Sequence, residues 1–421
     1  CREWVNQGVA FDTALELVAG CTVFTTHTPV AAGHDSFNHE TMSTYFRHMA
    51  ESMAITIDTL LPLGHTNDNH SQFNMTAFAL RGSRFHNGVS DIHGGIASSM
   101  ESYIWPQVPP EENPITSITN GVHVTSILAK KWANIFDQQF DNWSDSLLEP
   151  DYWQRIDAIP DTIYWSTHQE LKASLLKDVC HRLDVQHKRN GSSRALQEAS
   201  ICRIKSQSND ILVLGFARRF ATYKRATLLL SDLDRLSKIL NDPGRPVIIL
   251  FAGKAHPDDK PGQQLIKDIH LLSERAEFVG KIILLEGYDL NLARYMIAGT
   301  DIWLNTPTYP LEACGTSGQK AAINGVVNLS IMDGWGIEPH SDKYGSDYRN
   351  QQEASDLLDV IEKEVIPAYF ERDNSGIPSA WLSMSKESMK SCIPHFCAQR
   401  MLMDYIEKMY VPAKQQNLRL T

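Results

Sequence analysis

The sequence contains no apolar run of the roughly 20 residues that a membrane-crossing helix needs, so no membrane association is expected. It has no surplus of positive charge. The formal net charge is −11, which argues against nucleic acid as a partner and requires any anion site to be locally basic. Its cysteines have no order. There are seven, at positions 1, 21, 180, 202, 314, 392 and 397, an odd number with neither disulfide nor zinc spacing, so a reducing cytosol and a cytoplasmic protein are expected. A signal-peptide pattern is lacking as well. The chain opens at Cys1 rather than Met, and Glu3 to Leu17 reads as a helix already under way. It is therefore expected to be the C-terminal portion of a longer protein.

What is present suits a folded chain of two domains: 421 residues, 42% hydrophobic and 21% charged. From Ile201 onward short apolar runs alternate with helical stretches. Candidate strands are Ile211–Phe216, Val247–Phe251, Lys281–Leu285, Asp301–Leu304 and Val326–Ser330. Such runs suit a parallel sheet buried on both faces. Leu228 to Leu240 and Gly262 to Ala276 suit crossover helices, which predicts a doubly wound α/β domain. The first half is less periodic. Cys21 to Thr26 reads as a strand, Met75 to Met100 as helix broken at Asn87-Gly88, and Ile115 to His123 as strand then turn. Asp161 to Leu183 reads as a helix, Lys188 to Ser193 as a solvated loop, and Ser383 to Gln416 as a C-terminal helix system.

Chemistry concentrates in the loops after predicted strands. After Asp301–Leu304 comes Glu312-Ala313-Cys314-Gly315-Thr316-Ser317-Gly318-Gln319-Lys320. Thr316 followed by Gln319 fits a capping box, so a helix is expected to begin at Thr316 with free backbone N–H groups facing the turn. That is an anion site, and phosphate is its usual guest. Lys320 then lies one turn into the helix, either as a charge partner for the phosphate or as a Schiff-base lysine. A solvated loop with a surface lysine is the alternative. After Ile211–Phe216 comes Arg218-Arg219-Phe220-Ala221-Thr222-Tyr223-Lys224-Arg225, four cations at a strand end. These are costly to gather without an anion, unless the loop is a basic surface turn. His27, His34 and Asp35 match no metal-site spacing, and no metal is expected.

Glu312-Ala-Cys-Gly-Thr-Ser-Gly-Gln-Lys320 resembles the Glu-Ala-Ser-Gly-Thr-(Gly/Ser)-(Asn/Gly)-Met-Lys signature of the α-glucan phosphorylases, the enzymes of glycogen, starch and maltodextrin. Other stretches are similar in order along the chain, from about residue 20 to about 340: His27-Thr-Pro-Val-Ala-Ala-Gly-His-Asp35, Ser83 to His93 around Asn87-Gly88-Val89, Thr119-Asn120-Gly121-Val122, Arg219 to Arg225, and Ala252-Gly-Lys-Ala-His-Pro257. The resemblance implies the GT-B fold, two Rossmann-like doubly wound lobes with a cleft between them, the first lobe incomplete here. The implied division is 1–200 for the rest of the N-terminal lobe on the sugar side, 201–384 for the C-terminal lobe with the cofactor site, and 385–421 for a C-terminal helix packing back toward the first lobe. The implied reaction is reversible phosphorolysis of an α-1,4-glucan by inorganic phosphate to α-glucose 1-phosphate.

The implied cofactor is pyridoxal 5′-phosphate, carried by Lys320 as a Schiff base, its own phosphate trading a proton with the substrate phosphate. By the same resemblance Arg219, Lys224 and Lys320 carry the catalysis. Gly315, Thr316, Lys224, Arg218 and Tyr288 join Lys320 around the cofactor, and His27, Arg84, Asn120, Glu312, Ala313 and Cys314 face the sugar. A homo-oligomer is expected. Departures stand at Cys314 for Ser, Gln319 for Met and Ile127 for Trp. They leave open a non-catalytic glucan-binding relative, and a nucleotide-sugar GT-B transferase is a further alternative that the lysine motif opposes.

Overall fold

The apolar runs of the second half are strands buried on both faces. The computed structural model describes residues 1–207, 210–335 and 346–420. Ten strands occur among them: β1 Val23–Thr25, β2 Ser36–Asn38, β3 Gln72–Asn74, β4 Phe85–Gly88, β5 Ile115–Ser117, β6 Leu212–Ala217, β7 Val247–Ala252, β8 Ile282–Leu285, β9 Ile302–Asn305 and β10 Val327–Ser330. Along β6 and β7, Leu212, Leu214, Phe216, Val247, Ile249 and Phe251 enter one hydrophobic cluster. Their neighbours Val213, Ala217, Ile248, Leu250 and Ala252 enter another. The period of two thus sorts apolar side chains to two covered faces.

These strands form a parallel five-stranded sheet in the order β10-β9-β6-β7-β8. The chain enters in the middle at β6, runs outward to β8, then returns to the other side of β6 with β9. In an open α/β sheet the crevice beyond the carboxyl ends at such a reversal is where ligands bind. The amino ends are closed differently. Asp301, just before β9, takes Lys172 at 2.8 Å and His168 at 2.7 Å, all three fully buried, and its other oxygen accepts the Val213 N–H at 2.8 Å. This fixes the helix Asp161–Asn190 against the sheet.

β1, β4 and β5 form a second parallel sheet in the order β1-β4-β5, and β2 pairs antiparallel with β3. Here the expectation for Met75 to Met100 is corrected. Helix Met75–Arg81 ends at Gly82, Phe85–Gly88 is the central strand, and helix Asp91–Met100 follows with Ser90 accepting the His93 N–H. Asn87 and Gly88 are poor strand formers, yet the Asn87 Oδ1 accepts from the Thr25 hydroxyl at 2.8 Å across the ladder, a tertiary contact that outweighs propensity. The helix expected to stop near Leu183 runs on to Asn190 and ends at Gly191 (φ +66°), so the expected loop shrinks to Gly191–Ser193 before helix Arg194–Gln207. At the start, Gly8 (φ +92°) lies between two helices, Arg2–Asn6 and Phe11–Ala19, where one was expected.

The C-terminal helices Ser379–Phe396 and Ala398–Tyr405 reach the smaller parallel sheet. Ala398 N–H donates to the Val122 carbonyl at 2.8 Å, and the Tyr405 hydroxyl accepts from Asn87 Nδ2 at 3.1 Å. No helix among the described residues is long and apolar enough to cross a membrane.

Candidate functional site

Both parallel sheets turn their carboxyl ends toward one cavity of about 320 Å³. The smaller sheet contributes His27 and Thr28 after β1, Val89 after β4 and Asn120 after β5. The larger contributes Arg218, Arg219, Tyr223 and Lys224 after β6, and Leu311 to Ser317 after β9, on either side of its strand-order reversal.

The helix Thr316–Ile323 points its amino end here. The capping-box expectation is corrected: the N-cap is Gly315, at φ +86° and ψ 49°, a left-handed conformation that strains any residue with a Cβ. Thr316 is the first helical residue. Gln319 is fully buried and donates from Nε2 to the Asn120 carbonyl at 3.0 Å instead of capping. The helix therefore starts where expected, by a glycine turn. Among the described residues, the backbone N–H groups of Thr316 and Ser317 have no acceptor. The turn is braced from behind: Trp335 donates its indole N–H to the Gly315 carbonyl at 3.2 Å and its backbone N–H to the Cys314 carbonyl at 3.1 Å.

Beside this helix end the cations outnumber their partners. Arg218 Nη2 and Lys224 Nζ both lie 2.8 Å from the same oxygen of Glu312, all three side chains nearly enclosed. Arg218 also donates to the Asn305 side chain. Arg219 is exposed on the cavity wall and makes no ion pair with a described residue. Arg225, the fourth cation, turns away. It donates to the Thr306 carbonyl at 3.0 Å and pairs with Glu353 at 2.5 Å, joining the β6 and β9 loops to helix Ser346–Val360. Burial, then Arg218, pushes the Lys224 ammonium down to about 8, against the pull of Glu312. Burial acts on Glu312 in the opposite sense, but Arg218 and Lys224 outweigh it and hold its carboxyl below the usual range. Three cations facing one carboxylate is a charge arrangement completed by an anion.

Of the residues singled out from the sequence, His27, Asn120, Arg218, Arg219, Lys224, Glu312, Ala313, Cys314, Gly315 and Thr316 line this one cavity. Three do not. Arg84 turns back onto the Ser83 carbonyl at 2.9 Å and pairs with Glu16 at 2.6 Å. Tyr288 packs against the second hydrophobic cluster, where burial raises its phenol. Lys320 is half-buried one turn along the helix, its ammonium without a hydrogen bond or ion pair to a described residue. Ile127 packs against the second cluster. Burial pushes the Cys314 thiol up to about 12, so it is a packed, un-ionised group at neutral pH.

Sequence reasoning missed Asp333, Ser90 and Arg400. Asp333 accepts the Glu312 N–H at 2.9 Å, and burial pushes its carboxyl up to about 7. It follows β10, so the rule that loops after parallel strands carry the site would have found it. Ser90 donates to the Ala313 carbonyl at 2.7 Å, joining the loops of the two sheets, and Arg400 donates to the Thr119 carbonyl at 2.7 Å from the C-terminal helix. Nothing in their local sequence marks them.

The residues present fit pyridoxal phosphate on donor chemistry: a lysine unpaired among the described residues, on a helix whose amino end offers N–H groups with no described acceptor, beside surplus cations. Comparison with known proteins gives the family. A family model described as carbohydrate phosphorylase matches residues 4–349. A maltodextrin phosphorylase of Thermococcus litoralis is 39% identical over 97% of this chain and 49% of its own length. A glycogen phosphorylase of Aquifex aeolicus is 38% identical over 96% of this chain and 59% of its own length. One of Mycobacterium tuberculosis is 38% identical over 98% and 49%. The chain spans about half the length of the curated relatives it matches.

Proposed function

Because the chain belongs to the carbohydrate phosphorylase family, we propose that it forms the phosphate- and cofactor-holding part of an α-glucan phosphorylase, which cleaves α-1,4-glucan with inorganic phosphate to α-glucose 1-phosphate. The observation that carries this reading is the excess of cations, Arg218, Arg219 and Lys224 against Glu312, beside the open amino end of the Lys320 helix. Pyridoxal phosphate attached at Lys320 would supply a phosphate group able to exchange a proton with the substrate phosphate.

The chain's own residues then divide the work. Thr316 and Ser317 offer backbone N–H groups to an anion. Lys224, with Arg218 behind it, offsets the repulsion between two phosphates held close together. Arg219, exposed and unpaired by any described residue, is the fork that takes the substrate phosphate. On the opposite wall Asn120 and His27 face the sugar, as do Glu312, Ala313 and Cys314 along the turn. These groups are fixed before the substrate arrives, so stabilising an oxocarbenium-like sugar requires little reorganisation. In the same reading the fold is GT-B. Residues 1–200 complete a sugar-side lobe with segments outside this sequence, 201–384 form the cofactor lobe, and 385–421 return to the first lobe. Borohydride reduction of the yellow holoprotein, followed by peptide mapping, tests the assignment. A pyridoxyl label on the peptide containing Lys320 is the expected result, and a label elsewhere, or none, refutes it.

A further inference from the structure

The cleft floor is joined by side chains that cross from one sheet's loops to the other's, and one of them sits next to Lys320. Gln319 is fully buried, and its Nε2 donates to the Asn120 carbonyl at 3.0 Å. Asn120 N–H is held by the Val89 carbonyl at 3.0 Å. Arg400 reaches the Asn120 carbonyl only at 3.3 Å, its stronger contact being to Thr119 at 2.7 Å. Gln319 is thus the closer of these two side-chain donors to that carbonyl. The Asn120 side chain lines the cavity.

We propose that Gln319 is a positioning residue: its amide sets the Asn120 loop on the sugar wall at a fixed place relative to the helix that carries Lys320. The proposal rests on the phosphorylase reading for its kinetic consequences, but not for its structural one. The Gln319 Oε1 is buried with no partner among the described residues. Replacing Gln by Met therefore removes an unsatisfied acceptor together with the donor, at similar volume. Relief of that acceptor offsets the lost hydrogen bond, and the Asn120 carbonyl keeps its contact with Arg400, so the change is nearly neutral for stability. What remains is an Asn120 carbonyl held by its longer contact alone, so the effect falls on geometry rather than on folding.

The experiment uses the full-length holoprotein and its Gln319→Met variant. Amide hydrogen exchange in the peptide containing Asn120 to His123 is expected to quicken roughly three- to tenfold, the equivalent of one lost neutral hydrogen bond. Exchange in the peptide of helix Thr316–Ile323, the cofactor content and Tm should stay as in the parent. With maltodextrin as substrate, KM is expected to rise roughly three- to tenfold while kcat stays within about twofold. In an Asn120→Ala background, Gln319→Met should add no further rise in KM, because its effect passes through Asn120. Gln319→Glu, which sets a carboxylate against the Asn120 carbonyl, should quicken exchange more than Met does. Unchanged exchange at Asn120 to His123, a fall in kcat with KM unmoved, or fully multiplicative effects in the double variant would each overturn the assignment. If the parent holoprotein failed to phosphorolyse maltodextrin, the functional reading would fall, and the exchange comparison alone would still decide whether Gln319 positions the loop.

Discussion

Replacing Glu312 by Gln removes the carboxylate that Arg218 and Lys224 share. Each cation lies 2.8 Å from the same oxygen, and the Glu312 side chain is only 8% exposed. In the variant two enclosed cations face each other without that carboxylate. At an effective dielectric of 20, two unit charges about 4 Å apart interact by about 4 kcal/mol, and breaking a buried pair by removing one partner typically costs about 3–5 kcal/mol. Without phosphate, the unfolding free energy of Glu312→Gln should therefore fall by about 3–5 kcal/mol.

Phosphate should reverse the deficit, because the anion takes the place of the lost carboxylate and no longer competes with it. Hundredfold saturation of the variant's site adds about 2.7 kcal/mol, and the gap narrows by that figure less what phosphate adds to the parent, to no less than about 0.3–2.3 kcal/mol. The pH dependence has a definite sign. The folded-state value of Lys224 is depressed to about 8 from 10.5, so between these values the unfolded chain binds a proton that the folded chain does not, and stability rises with pH through this window. Without Glu312, which pulls that value up, the rise should begin at lower pH. The assay is urea unfolding with and without phosphate, at matched ionic strength in chloride. A cost below about 1 kcal/mol, or a deficit indifferent to phosphate, would refute the idea that these cations form an anion site.

The phosphate contacts themselves are separable. Arg219→Ala should weaken phosphate use by roughly 1.5–3 kcal/mol, on the order of tenfold to over a hundredfold in kcat/KM for phosphate, and Arg219→Lys should rescue it only in part. Lys224→Ala should in addition lower cofactor content, measured by absorbance of the purified protein. Phosphate dependence unchanged in Arg219→Ala would move the phosphate grip elsewhere. His93 gives an acid-side prediction. It is 1% exposed, its Nδ1 accepts the Val89 N–H at 3.1 Å, and burial pushes it from 6.5 down to about 4. The folded chain keeps it neutral, so stability should be lost as pH falls from about 6.5 to about 4, by roughly 3 kcal/mol in all. Unfolding free energies measured across that range should lose most of this slope in His93→Gln, and an unchanged slope would remove His93 as its cause.

Much of the site is legible in the sequence because it obeys position rules. Arg218, Arg219 and Lys224 follow an apolar run long enough to be a buried strand, and such a run delivers its loop to the crevice whatever the rest of the chain does. The turn from Glu312 to Thr316 is legible for the same reason, but its cap is not. Thr316 and Gln319 satisfy the capping pattern, and only the backbone path at Gly315 decides that glycine holds the cap while Gln319 faces Asn120. Arg84 was expected at the sugar. The helix before it ends at Gly82, and the side chain turns back toward Ser83 and Glu16, a direction that no local pattern encodes. β4 escaped notice because four residues ending in Asn87-Gly88 have neither the length nor the propensity of a strand. Its identity comes from neighbours on both sides, Val23–Thr25 and Ile115–Ser117. The doubly wound sheet is the opposite case, since each of its strands declares itself by composition alone.

The buried trio of His168, Lys172 and Asp301 lies at the end of the sheet away from this chemistry, and it does something that apolar packing does not. A helix as long as Asp161–Asn190 lies along the sheet like a rod in a groove. Apolar contacts hold such a rod down but resist sliding only weakly, since one aliphatic side chain replaces another a turn along. His168 and Lys172 are spaced so that both meet the one carboxylate. A slip of one turn, about 5.4 Å, would leave only one of the two on Asp301 and carry the other away from its buried partner. The trio is an axial key that admits the rod at a single setting.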